Sequence, residues 1–304
     1  MPSGIPTNRT SVSLPTEVSR EIMQKTQEGS AIMRLARRVQ LPGRGLTIPT
    51  ITGDPEANWV DETNVKPVSN PSLGTKNMKG YTLAVIVPFS NQFRRDMRAL
   101  YDAVVQRLPG ALALKYDKTI IGTSAPGSGF DTLGSCTAQS LIASGGHTAY
   151  KGLVAAWSDI AEHNGALNGL ALSPAAEGIL LNAVDTTGRP IFTGAVSEDN
   201  GSPILGAKVT RSRGIYVAGE AGEGTAAGTP AIVGIAGDWT QAKYGVVEDD
   251  VKIDISDQAT LTIGTSQVNL WERNMFAVRA EIEVGFIADT ACFNLLTGAV
   301  PEAV

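Results

Sequence analysis

The chain has 304 residues, 42% hydrophobic and 18% charged, with 33 glycines and 16 prolines; wholesale disorder and a fibrous repeat are excluded, and one large domain or two ordinary ones fit. Twenty-five basic against 30 acidic residues give a net charge of −5, which excludes a surface that grips nucleic acid phosphates everywhere, though not a local basic face. The start MPSGIPTNRTSVSLPTE lacks the regions of a signal peptide, and no apolar run approaches the ~18 residues of a membrane span, so the expectation is a soluble chain not exported by that route.

Residues 1–15 are Ser-, Thr-, Pro- and Asn-rich and read as an extended arm with too little apolar surface to pack alone. TEVSREIMQKTQEG predicts a short helix from about Thr16, with Val18 and Ile22 on one face and Gly29 as its stop. AIMRLARRVQL and GLTIPTI predict strands, broken by PGRG at 42–45. The stretch NWVDETNVKPVSNPSLGTKNMKGYTLAVIVPFS, 58–90, predicts two extended arms around a polar middle, one beginning at Trp59 and Val60, the other formed by YTLAVIV at 81–87. A two-stranded ribbon is marginal in water on its own, so this one calls for a partner surface. From Ser90 as N-cap, NQFRRDMRALYDAVVQRL places Phe93, Met97, Leu100, Val104 and Leu108 on one helical face. Pro109-Gly110 predicts a kink or break before ALALKYDKTII carries the helix to Gly122.

TSAPGSGFDTLGS, 123–135, predicts a surface loop. TAYKGLVAAWSDIAEHNG, 148–165, spaces Tyr150, Leu153, Val154, Trp157 and Ile160 as an amphipathic helix that Gly165 can end. GLALSP predicts a buried strand running into a helix, with Ser173 as cap and Pro174 in its first turn. ILGAKVT, GIYVA and AIVGIAGDW read as strands, and YGVVEDDVKIDIS alternates as one more. NMFAVRAEIEVGFIA, 274–288, sets Phe276, Val278, Ala280, Ile282 and Val284 against Arg279, Glu281 and Glu283. Helices flanking short strands, followed by a long-stranded sheet, make the expected class α+β.

Chemistry is sparse. GEAGEGTAAG resembles a phosphate loop only in its glycines: it carries Glu220 and Glu223, lacks a Walker lysine and runs into Gly-Thr-Pro. His147 and His163 sit at opposite ends of a predicted helix, roughly 24 Å apart, and cannot share a metal or proton. Cys136 and Cys292 have no metal spacing and read as partly buried free thiols, suited to a reducing compartment. The acids of EDDVKID match no calcium loop and read as a solvated face. No catalytic residue, cofactor or metal is assigned. Basic residues cluster at Arg34, Arg37, Arg38 and Arg44 and at Arg94, Arg95 and Arg98; a solvated face, pairing with an acidic neighbour and weak contact with DNA all remain open for them.

The order of elements carries more than any motif. A polar arm, a short helix, a ribbon with ANWVDE, a long helix ending in IIG, a Gly-rich loop, an α+β unit and a final sheet with AVRAEIEVGFIADTACFNLLTG together resemble the major capsid proteins of tailed bacteriophages, the Hong Kong 97 type fold. The best short matches are W-V-x-E at Trp59, Val60 and Glu62 and R-x-E at Arg279 and Glu281. The resemblance implies an N-terminal arm and short helix at 1–30, peripheral-domain segments at 31–56, 89–147 (with the spine helix) and 244–304, an extended loop at 57–88 and an axial domain at 148–243. It implies a virion shell subunit, assembled in the bacterial host cytoplasm into pentamers and hexamers around double-stranded DNA read without sequence specificity. Expected partners are further copies of the chain, a scaffolding protein, a portal and a decoration protein, with no membrane. Some members lose an N-terminal scaffolding segment, so the short arm implies a separate scaffold or an already trimmed chain. An encapsulin-like compartment subunit is the alternative that shares the fold. Inter-subunit residues implied by the resemblance are Trp59, Val60, Tyr81 and Leu83 as ribbon anchors, Asp61, Glu62, Arg94, Arg95 and Arg98 for charge complementarity, and Lys66, Lys76 and Lys79 as loop lysines. Some members crosslink such a lysine to a neighbour's asparagine; Asn269, Asn274 and Asn294 are candidates, and no motif fixes a pairing.

Overall fold

The computed structural model describes residues 16–51, 57–62, 64–66, 68, 73–91, 97–142, 148–185, 187–192, 203–222, 228–248 and 251–301. The predicted arm at 1–15 lies outside them. In the first half, α1 (Thr16–Gly29), α2 (Ala31–Leu35), β1 (Arg37–Gln40), β2 (Leu46–Ile51), β3 (Leu73–Met78), β4 (Tyr81–Ser90) and α3 (Met97–Ile121) follow in order. Next come β5 (Thr137–Ser140), α4 (Ala149–Glu162), β6 (Gly169–Leu172), α5 (Pro174–Leu181), β7 (Lys208–Arg211) and β8 (Ile232–Gly237). The chain closes with β9 (Ala242–Val246), β10 (Lys252–Ser256), β11 (Thr260–Ile263), β12 (Ser266–Asn269), β13 (Met275–Ala288) and β14 (Phe293–Thr297).

Several local expectations hold, and others give way to identifiable forces. AIMRLARRVQL is not one strand: Ser30, extended in its own backbone, accepts from the Met33 amide at 3.1 Å and starts α2, and only after Ala36 does the chain extend into β1. Residues 92–96, which follow the expected cap Ser90, lie outside the described residues, and Ser90 itself takes a strand position. It closes β4, because β13 pairs with β4 along its whole length, from Met275↔Ser90 to Val284↔Tyr81, and Phe89 stacks on Phe276 at 5.7 Å. Nor does Pro109 divide the long helix, since α3 runs unbroken to Ile121. Leu108, Leu112, Tyr116 and Ile120 are all buried on one side of it, and that burial outweighs the ~3 kcal/mol a helical proline costs.

The long-stranded sheet is organised by β13. β4 takes one edge, while β9 (at 284–288) and β10 (at 277–281) share the other. YGVVEDDVKIDIS therefore is one edge broken in two: the chain advances six positions from Val246 to Lys252 while β13 advances three, from Val284 to Glu281. β1 adds to β9 in parallel, and the predicted inner face of β13 is buried. β11 and β12 form a separate hairpin.

A second sheet has the order β5-β14-β8-β6-β7, with α4 and α5 packed on one face through Leu153, Ala156, Ile160, Ala176 and Leu180. Its other face joins the main core through Ala171, Ile235 and Leu295. GIYVA is no strand here: Arg213–Ile215 is a 3₁₀ turn, and Val217 alone bridges to Ile232. Ser173 caps α5 with Pro174 in its first turn, as expected. α4 ends at Glu162 with His163 as its C-cap, and the left-handed turn after it falls on Asn164, φ of 58°, one residue before the predicted stop Gly165, because asparagine tolerates that conformation.

One buried carboxylate ties these layers. Asp117, buried near the C-terminal end of α3, accepts from the Ser30 hydroxyl at 2.5 Å and from the amides of Ala31 at 3.0 Å and Ile32 at 3.4 Å. It thereby caps α2 from another helix. Burial pushes its pKa above the ordinary carboxylate value, against hydrogen bonds from Ser212, Ser30, Ala31 and Ile32 that pull it down. Asp117→Ala strands these donors, and the expected loss is about 3–5 kcal/mol, measured as a lower urea midpoint. Because the folded carboxyl holds its proton more tightly than the unfolded one, its stabilising share is complete below the unfolded value and falls as pH rises through the folded value. The difference in unfolding free energy between wild type and Asp117→Asn accordingly shrinks as pH rises.

Candidate inter-subunit interface

The ribbon is built differently from the sequence expectation. Its arms are β2 and β3, antiparallel from Leu46↔Met78 to Ile51↔Leu73, whereas YTLAVIV belongs to β4 in the chain's own sheet. The reason is length: β13 offers ten consecutive partners to β4, and a six-residue arm cannot compete for them. Tyr81 and Leu83, expected as ribbon anchors, pack instead against the chain's own core.

At its base the ribbon is held firmly. Met78 is buried with Leu41 and Ile287, and Leu46 and Ile48 pack against them. Lys76 Nζ donates to Asp131 Oδ2 at 3.1 Å and to the Ala288 carbonyl at 2.6 Å, and the Ala288 amide donates to the same Asp131 oxygen at 3.1 Å. The Lys79 amide donates to the Gly129 carbonyl at 3.0 Å, and the Tyr81 hydroxyl to the Ser128 carbonyl at 2.7 Å. Gly129 has φ of +81°, and a Cβ there would stand 2.5 Å from the Asn77 carbonyl oxygen, so only glycine lets this segment approach β3. Segment 123–135, expected as a surface loop, is thus a clasp with Phe130 and Leu133 buried under it.

Toward the tip the support ends. Trp59 is fully exposed, and Val65 and Val68 are 94% and 85% exposed. Val60, Asp61, Glu62 and Lys66 are exposed beside them, and the Asn64 amide turns back to the Asp61 carbonyl at 3.1 Å. Of the remaining expected residues, Lys76 is engaged in the clasp and Lys79 is exposed at its edge. Arg94 and Arg95 lie outside the described residues, and Arg98 falls in α3 with its side chain outside the description.

Sequence reasoning missed Val65 and Val68, whose apolar signal is diluted by the Asn, Lys, Pro and Ser around them. It also missed how α4 divides its apolar residues. Leu153 and Ile160 face inward as expected, but Tyr150, Val154 and Trp157 are 42%, 36% and 50% exposed; the small Ala149, Gly152 and Ala156 take the buried places, because the sheet approaches too closely for larger groups.

Other candidate chemistry disperses. The neck of GEAGEGTAAG is closed by a Glu220↔Thr229 bridge and leads to β8 rather than a helix. His163 ends α4 with Nδ1 2.8 Å from the Asp159 carbonyl oxygen, and His147 lies outside the described residues. Both cysteines are free, and burial pushes Cys136 up to about 12. In EDDVKID, Glu248 pairs with Lys252 and Asp254 with Arg279. Asn294 is buried on Asp159, and Asn274 holds Asn91. Among the described residues no three His, Cys, Asp or Glu side chains gather to hold a metal ion, and no helix is long and apolar enough to cross a membrane.

A model of the phage capsid family matches residues 10–297 of this chain. The chain belongs to that family. A protein named probable major capsid protein gp17 of Mycobacterium phage D29 is 28% identical over 298 residues, covering 94% of this chain and 90% of the relative. Its namesake in Mycobacterium phage L5 is 29% identical over 289 residues, covering 90% and 85%. Among solved structures, a chain of Mycobacterium phage Bobi superposes with a TM-score of 0.68 at 18% identity, covering 99% of this chain and 96% of that one. A capsid chain of an empty GTA particle does so with 0.61 at 12% identity, covering 98% and 96%. The α+β fold is thus shared with phage capsid proteins of the Hong Kong 97 type, as the element order implied.

In this capsid protein the ribbon combines a fixed base with an uncovered tip. Lys76→Ala removes the clasp's cation at a half-exposed site, where about 1 kcal/mol is expected. Amides of β2 and β3 then exchange about fivefold faster, with β13 unchanged, in hydrogen-exchange mass spectrometry.

Proposed function

We propose that this chain is the major capsid subunit of a tailed phage, assembling into pentamers and hexamers of an icosahedral head around double-stranded DNA. The observation that carries this reading is the ribbon. Its base is locked to the body by Met78, Lys76 and the 123–135 clasp, while Trp59, Val65 and Val68 at its tip find almost no cover among the described residues. Apolar side chains held out in this way by a fixed base are suited to burial on another subunit. Family membership supports a further copy of the chain as that subunit. In this reading the peripheral domain is the β13 sheet with α3, the axial domain is the β5-β14-β8-β6-β7 sheet with α4 and α5, and the extended loop is the β2–β3 ribbon with the segment between them.

The head lies in the virion and is built in the host cytoplasm. A scaffolding protein, a portal and a decoration protein are its further partners, and the DNA is held without base recognition, in keeping with a net charge of −5 and no base-reading motif. The role is structural, with no reaction assigned. The encapsulin-like alternative is not favoured, because the relatives named above are phage and GTA capsid proteins.

Replacing residues 57–68 with a short Gly-Ser linker removes the tip and leaves β2, β3 and the clasp. The expected product is a folded subunit, with unchanged circular dichroism and unfolding midpoint, that forms no closed shells by electron microscopy. Normal shells from that variant contradict the role given to the ribbon.

A further inference from the structure

Between the C-terminal end of α3, the start of β4 and the clasp lies a cavity of about 280 Å³. Its floor is apolar, made by buried Tyr116, Phe130 and Val284 with Leu83 beside them. Its rim carries hydroxyls and one charge, Lys115. Lys115 and Lys118 are exposed, and neither makes an ion pair among the described residues. The volume falls just below the range of about 300–1,000 Å³ that holds small-molecule ligands, and suits one aromatic side chain.

An aromatic floor under a cationic rim fits a segment in which an aromatic residue is followed closely by carboxylates. The ribbon tip is such a segment: Trp59, fully exposed, precedes exposed Asp61 and Glu62. In extended backbone, residues two apart project to the same side about 7 Å from each other, so an indole seated on the floor brings Asp61 to the rim. Trp271 is the rival knob, at 70% exposure with Glu272 next to it. Arg273 follows, however, and would set a like charge against Lys115.

We propose that the ribbon tip of a second copy inserts Trp59 into the cavity of Tyr116, Phe130 and Val284, with Asp61 and Glu62 paired to Lys115 and Lys118. This deepens the shell reading and rests on it. Knob and cavity occupy different parts of one chain, so the contact is head-to-tail, the kind that closes into rings. Tyr81 both lines the cavity and bonds to Ser128 in the clasp, so an inserted tip bears on the base of the host subunit's own ribbon. A buried tryptophan at the centre of a contact commonly carries much of its strength.

The test mixes full-length chains carrying Glu62→Cys with chains carrying Lys118→Cys, both in a Cys136→Ser background, and oxidises the assembled particles. A disulfide-linked heterodimer is expected at about tenfold or more above either chain alone. Trp59→Ala is expected to lower shell yield about thirtyfold, and Trp271→Ala to leave it unchanged. Lys115→Glu with Lys118→Glu lowers yield about tenfold, and adding Asp61→Lys and Glu62→Lys to the same chain restores it. Unchanged circular dichroism in each variant shows that folding is intact. Wild-type shells without the heterodimer, or without rescue by charge exchange, overturn this docking and leave the shell function standing. A wild-type chain that forms no shells overturns both.

Discussion

Burial of the ribbon tip is the constraint around which this capsid protein is organised. Trp59, Val65 and Val68 are almost wholly in water, and removing a large apolar side chain from water is worth about 1.5–3 kcal/mol. The body does not cover them, because its own edge positions are taken: β13 is lined by β4 on one side and by β9 and β10 on the other. The β2–β3 ribbon joins neither edge, so its apolar tip stays outside both sheets.

A tip that must find a neighbour needs a base that does not move, and much irregular structure serves that base. Segment 123–135 would be an ordinary loop if judged by its glycines and serines. Instead it delivers Asp131 to Lys76 and to the Ala288 amide, the Gly129 carbonyl to Lys79 and the Ser128 carbonyl to Tyr81. These contacts join the ribbon to the last residue of β13, Ala288, and to the cluster around Phe130, which in turn packs on Tyr116 of α3. Asp117, the next residue, fastens α2 and the 3₁₀ turn at Ser212 to the same helix. The helix is therefore a common support, and a disturbance at the ribbon base meets a stiff path into both sheets.

Legibility in the sequence followed the range of the forces involved. β13 was readable because one strand with one wet face repeats its pattern every two residues, and α5 because Ser173-Pro174 is a local signal. Ser90 reads as a cap because it precedes a helical period, but its place at the end of β4 had no local signal, since the ten-residue pairing comes from residues 275–284, nearly two hundred positions away. The ribbon itself was legible as an extended segment without a home. Its second arm was misplaced because YTLAVIV and LGTKNM are both extended, and only the competition for β13 decides between them. The clasp and the cavity at Lys115 had no sequence signal, since each is assembled from three or more distant segments. α4 failed more instructively: Tyr150 and Trp157 follow the helical period of a core face, yet Gly152 and Ala156 lie against the sheet.

The same arithmetic that makes the tip costly in one chain keeps each docking weak. Burying three or four apolar side chains gains on the order of 5–10 kcal/mol, from which the lost freedom of a subunit and about 0.5–1.5 kcal/mol for each ordered side chain must be subtracted. Little remains for a single contact. The head-to-tail docking proposed above would change the outcome, because every subunit in a closed ring would both give a tip and receive one, and the last contact would form without further loss of translational freedom. Weak individual contacts also let a misplaced subunit leave before the ring closes, so correct closure selects the ordered shell.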